Sequence, residues 1–199
     1  NLLTFEGLAY ATYDYPDMVE DMVETQCVLV EDFLDQVLGR IDFDCAAGWE
    51  DISFKSGPLV SLPFFRDVVV PRYRRIGERL RAHGIDVWYI DSDGDVRPLI
   101  PPFLEAGVNC MFPWEVNSSG LVGPALEQYG RDLLVMGGVD KMQLGRGREA
   151  IRAHLEELAP CVQRGGFIPH CDHRCPPNVD ENDYLFYLDL KEEMFSQPT

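Results

Sequence analysis

Apolar positions follow two alternating rhythms along the chain. "PDMVEDMVETQCVLVEDFLDQVLGR" (16–40) has the i, i+3, i+4 spacing of a long amphipathic helix, with Pro16 in its first turn and Gly39 at its end. "IDFDCAA" (41–47) then reads as a short strand. A helical stretch follows in "LPFFRDVVVPRYRRIGERLRAHG" (62–84), interrupted near Pro71 and closed by Gly84. Strands are predicted at "DVWYID" (86–91), "VNCMFPW" (108–114), "DLLVMGG" (132–138) and "GFIPH" (166–170). Between and after them, helices are predicted at 96–107, 120–130, 147–165 and 178–195.

Such alternation implies a parallel sheet with helical crossovers: an α/β single domain over residues 1–199, of about five β/α units behind an N-terminal helix. An open doubly wound sheet calls for a phosphate-binding glycine loop after an early strand. No G-x-G-x-x-G or G-x-x-x-x-G-K-[ST] follows any of these strands, and "LGRGREA" (144–150) lacks the spacing. The other architecture is the (β/α)₈ TIM barrel. A full barrel takes roughly 250 residues and eight strands, so this chain is expected to be an incomplete barrel, its C-terminal part. A first residue of Asn1 rather than Met agrees with a processed or truncated protein.

Composition narrows the function classes. A net charge of -17 with no basic run disfavours nucleic acid and anionic membranes as partners. No apolar run reaches the ~18 residues of a membrane span, and the start lacks a signal-peptide pattern. The six cysteines, at 27, 45, 110, 161, 171 and 175, are too scattered for a disulfide scaffold. Reduced thiols and a cytoplasmic location are expected.

The chemistry-bearing residues fall just after the predicted strands, where parallel α/β folds place their sites. They occur in "GWED" (48–51), "DSDGD" (91–95), "PWEVN" (113–117), "GGVDK" (137–141) and "HCDHRC" (170–175). Taken singly, each loop also suits turn and cap chemistry. "DSDGD" lacks the later ligands of a calcium loop, and "HCDHRC" lacks the second ligand pair of a closed zinc site.

These segments, in this order, resemble the uroporphyrinogen decarboxylase superfamily, which includes cobalamin-dependent methyltransferases. "YDYPDMVEDMVE", "GWEDISFKSGPLVSLPFFRDVVVPRYRRI", "PWEV", "GGVDK" and "GGFIPHCDHRCPPNVDENDY" carry the resemblance over essentially the whole chain. It implies a (β/α)₈ barrel, of which the N-terminal part with the decarboxylase's key Asp and arginines is missing. The methyltransferases bind zinc through a His-x-Cys and a later Cys. Here Asp91-Ser92-Asp93 stands in place of His-x-Cys, Cys171 lies at or near the later Cys, and His173 matches the closing-loop His.

The resemblance implies metal-assisted methyl transfer to or from a small substrate, with a corrinoid carried by a partner protein. Zinc or another divalent metal would be held by Asp91, Asp93 and Cys171, joined by His170 or Glu115. His173, Glu115 and Asp93 are the expected catalytic residues. Arg97, Trp114, Asp140 and Glu50 are expected to bind substrate. Porphyrinogen decarboxylation in porphyrin biosynthesis is the alternative. It needs cationic clamps, and only Arg97 and Arg174 lie in these loops. A third reading is a non-catalytic truncated barrel that binds a small ligand. "HCDHRC" is expected to be an active-site loop with His173 turned toward Asp91 or Asp93 and Cys175 packed beneath. Open sheet edges imply self-association or pairing with a missing N-terminal segment.

Overall fold

A computed structural model describes residues 3–196. Five parallel strands form one sheet in sequence order: β1 (Ala46–Trp49), β4 (Trp88–Asp91), β5 (Cys110–Trp114), β6 (Leu134–Val139) and β7 (Phe167–Cys171). Among the described residues, no strand is inserted between neighbours of this sheet. A two-stranded hairpin, β2 (Ser53–Phe54) with β3 (Gly57–Pro58), fills the first crossover and was not foreseen.

Helices form the crossovers. α3 (Leu62–Phe64), a π-turn (Phe65–Val69) and α4 (Val70–Ala82) run on from one another, and the π-turn just before Pro71 is the interruption expected there. α5 (Ile100–Ala106) ends on Gly107 in the left-handed region. α6 (Val116–Ser119) and α7 (Val122–Tyr129) join β5 to β6. α8 (Lys141–Leu144) and α9 (Arg148–Arg164) join β6 to β7, and α10 (Glu181–Phe195) closes the described chain. The expected single N-terminal helix is two: α1 (Thr4–Asp14) precedes α2 (Pro16–Val37), with Pro16 restarting the helix. The first strand also starts later than expected. Residues 41–45 are exposed and lie outside β1.

The core lies between the sheet and the helices. Ile90, Met111, Val135 and Phe167 on the strands meet Phe65, Leu80, Phe103, Leu126 and Leu155 on the helices. Burial of such side chains supplies on the order of 2 kcal/mol each. α2 docks on α4 through ions as well as apolar contacts. Arg72 bridges Glu20 and Glu24, Arg75 bridges Glu24 and Glu31, and Arg79 bridges Glu31 and Asp35.

On the opposite face, Tyr89, Phe112 and His170 form a row. Tyr89 and Phe112 have ring centroids 5.7 Å apart, and Phe112 and His170 5.5 Å apart. Phe112 and His170 sit on strands separated by β6. Flat neighbouring strands lie about 4.8 Å apart, which would separate β5 from β7 by roughly 9.6 Å. The shorter ring spacing fits a sheet concave toward this face.

Among the described residues, no helix is long and apolar enough to cross a membrane. All six cysteines are free.

Candidate functional site

The loops at the C-terminal ends of all five strands are tied into one rim. Asp51, after β1, has φ 47°, a conformation that turns its carboxylate over the strand end. Its Oδ2 accepts from Trp49 Nε1 at 2.9 Å, and its Oδ1 accepts from the Asp93 N–H at 3.3 Å. Asp51, Asp91 and Asp93 each offer a carboxylate oxygen within 4.8 Å of the others. Burial raises the carboxyls of Asp91 and Asp93 above their ordinary range, and the neighbouring acids push them further. His173 Nε2 lies 3.4 Å from Asp93 Oδ2, so the "HCDHRC" loop does turn its second histidine to the aspartates.

Glu115, after β5, is the next link. Its Oε2 accepts from the Gly94 N–H at 2.9 Å and its Oε1 from Lys141 Nζ at 2.8 Å. Burial opposes its ionisation, but these bonds outweigh it and hold the carboxyl below its usual range. Gly94 has φ +88°, and a Cβ there would lie 2.6 Å from the Phe54 carbonyl carbon, so glycine alone lets the hairpin close over this loop.

Asp172 anchors the rim from below. It is fully buried; its Oδ2 accepts from the Val116 N–H at 2.8 Å and its Oδ1 from the Lys141 N–H at 3.0 Å. Lys141 Nζ lies 3.8 Å away. One carboxylate thus fixes the starts of α6 and α8 together. Desolvation nevertheless leaves its carboxyl above the ordinary range.

The expected metal set is divided by the structure. Asp91 and Asp93 come together, but the third carboxylate is Asp51, and neither Cys171 nor His170 joins them. Cys171 lies against the core on the helix side of β7. Burial pushes its thiol up, which opposes the thiolate that a metal needs. His170 sits on the other face, with Nδ1 2.7 Å from the Cys171 carbonyl oxygen and its ring against Phe112. The period-two alternation of a strand sends adjacent residues to opposite faces, so the pair cannot share one centre there.

Three expected substrate-binding residues have structural partners instead. Trp114 is 0% exposed and its Nε1 donates to the Gly120 carbonyl at 2.8 Å. A register shift between Met111 and Trp114 accompanies its placement in the core. Asp140 caps α8 by accepting from the Met142 N–H at 2.9 Å, and Asn117 and Gln143 complete its bonds. Arg97 is held bidentately by Asp95, with both bonds 2.7 Å long. Cys175, expected beneath the loop, is exposed.

Glu50 remains open to a ligand. It lines an apolar groove of about 720 Å³ between α1 and the end of β1. Among the described residues, its carboxylate has neither a hydrogen bond nor an ion pair. Desolvation pushes its carboxyl up to about 7. The unfolded carboxyl, near 4.5, ionises first as pH rises. The stability tied to the protonated group is therefore complete below about pH 4.5 and lost as pH rises through about 7. Glu50→Gln should stabilise the fold by about 2 to 3 kcal/mol at pH 8 relative to its effect at pH 4, read from urea unfolding at both. A gain that does not change with pH would contradict this.

Comparison with protein-family models and with curated proteins finds no match for this chain.

Proposed function

We propose that the rim is the active site of a metal-assisted enzyme acting on a small molecule, and that the chain is the C-terminal arc of a uroporphyrinogen decarboxylase-like (β/α)₈ barrel. The observation that carries this is the convergence of Asp51, Asp91, Asp93, Glu115, Lys141 and His173 from all five strand ends onto one bonded rim. The in-order parallel strands and the concave ring row support the barrel arc. The outer edges of β1 and β7 would pair with a preceding segment or a second copy.

The donor set fits a hard divalent cation. Three oxygens without sulfur favour magnesium, manganese or calcium over a thiolate-bound zinc. Neighbouring carboxylates that resist joint ionisation gain most from a dication between them. When bound, the metal would supply positive charge to polarise or deprotonate a substrate oxygen or thiol. His173, oriented by Asp93, is placed to hold or move a proton beside it. Lys141 and Glu115 keep the Gly94 loop in position.

Methyl transfer, with the corrinoid on a partner protein, is preferred over porphyrinogen decarboxylation. A polycarboxylate substrate needs several free cationic clamps; Arg97 and Lys141 are already bonded to Asp95 and Glu115, which leaves Arg174 alone among the described rim cations. Methylcobalamin serves as the probe. Mixed with small thiol or alcohol acceptors and magnesium or manganese, it should lose its methyl group with a change in visible absorbance. His173→Gln should slow this by roughly 100-fold, the scale of a lost proton-transfer group. No demethylation with any acceptor, or an unchanged rate in the variant, would contradict the reading.

A further inference from the structure

The groove beside the rim has its own chemistry. It runs between α1 and the start of the β2–β3 hairpin, and Phe5, Tyr13, Met22, Trp49, Glu50 and Asp51 are among its walls. Two features set its preference. The first is its aromatic surface: Phe5, Tyr13 and Trp49 are 63%, 80% and 76% exposed, so their rings are uncovered rather than packed in the core. The bond from Trp49 Nε1 to Asp51 fixes one edge of the indole. The second is charge. Glu50 and Asp51 line the groove, and among the described residues no Lys or Arg does.

An anionic ligand would meet two carboxylates and no counter-charge. A purely apolar ligand would strip water from the Glu50 carboxylate without giving it a partner, which is costly. A cation with an apolar body satisfies both features. Its charge faces the carboxylates and the negative faces of the aromatic rings, and its body lies along Leu8, Met22 and Leu59. A volume of about 720 Å³ accommodates a molecule of that size.

We infer that this groove binds an organic cation, an alkylated ammonium with an apolar chain, with Glu50 as its counter-ion and Trp49 as its aromatic platform. The site goes beyond the proposed metal chemistry and needs no metal, although Asp51 borders both.

The test uses the full chain at about pH 8.5, where carboxyls are ionised, treated with chelator, in about 0.3 M salt to screen the overall negative charge. Hexyltrimethylammonium is titrated by calorimetry and by tryptophan fluorescence. Hexan-1-ol supplies the same chain without charge, and hexanoate the opposite charge. The ammonium should bind saturably, one per chain, at least tenfold more tightly than hexanol, with hexanoate weakest. Glu50→Gln and Trp49→Leu should each weaken it about tenfold or more, while Asp132→Asn, far from the groove, leaves it unchanged. Thermal unfolding checks that each variant is folded. Equal binding of hexanol, no saturable binding of the ammonium, or undiminished binding in both variants would overturn the inference. Because metal is removed throughout, failure here is separate from failure of the metal site.

Discussion

Replacing Asp172 by Ala should destabilise the protein by about 2 to 4 kcal/mol, because two partly buried backbone donors lose their acceptor at about 1 to 3 kcal/mol each. Those donors are the N–H groups of Val116 and Lys141, at the starts of α6 and α8. Asp172 is fully buried, so solvent does not reach its carboxylate in the folded chain. The midpoint of thermal unfolding should fall by roughly 6 to 12 °C for a chain of this size. Asp172→Asn keeps one oxygen acceptor and should cost about half as much. Urea unfolding with an unchanged slope is the measurement. A loss below about 0.5 kcal/mol in Asp172→Ala would show that the buried carboxylate is not what ties the two helix starts together.

Asp91→Asn should weaken divalent-metal binding by about 100-fold or more, because loss of an outer partner to a ligand alone costs 10- to 100-fold. Asp51→Asn should behave alike, since it completes the same trio. Cys171→Ser and His170→Gln should leave metal affinity unchanged, because neither side chain reaches the aspartates. Wild-type affinity should itself fall on acidification, since protons and metal compete for carboxyls whose protonated forms are already favoured by burial. Manganese binding followed by calorimetry at pH 5.5 and 7.5 checks all of these. Retained binding in Asp91→Asn together with loss in Cys171→Ser would restore the sulfur-containing site that the sequence suggested.

The strand order and most of the rim were legible in the sequence because they follow from local signals. Aromatic and β-branched runs such as "VWYI" mark strands, and acidic or glycine-rich loops after them mark strand ends. The errors have physical causes of the opposite kind. Trp114 looked like a rim aromatic, but a shift of register at the end of β5 accompanies its placement in the core, and no composition rule reports a bulge. Asp140 and Arg97 were claimed by neighbours two or three residues away, the short-range capture that makes Asp a cap and Arg–Asp a fork.

Cys171 and Asp91 are 80 positions apart, and only the facing of β7 decides whether they meet. Asp51, not named among the expected ligands, was visible in "GWED". Its left-handed backbone, which brings the carboxylate to Asp91 and Asp93, is a property of the folded strand end. α1 lay in a stretch whose mixed polarity gave no clean helical face. Its contacts with α2 hold it in place instead.

Anomalous diffraction from crystals soaked in manganese tests the central claim most directly. The account predicts one ordered ion per chain, bonded to carboxylate oxygens of Asp51, Asp91 and Asp93 at about 2.0 to 2.6 Å, the range of hard-cation oxygen bonds. An ion at Cys171 and His170, or no ordered ion at the rim at a concentration that saturates binding in solution, would contradict it.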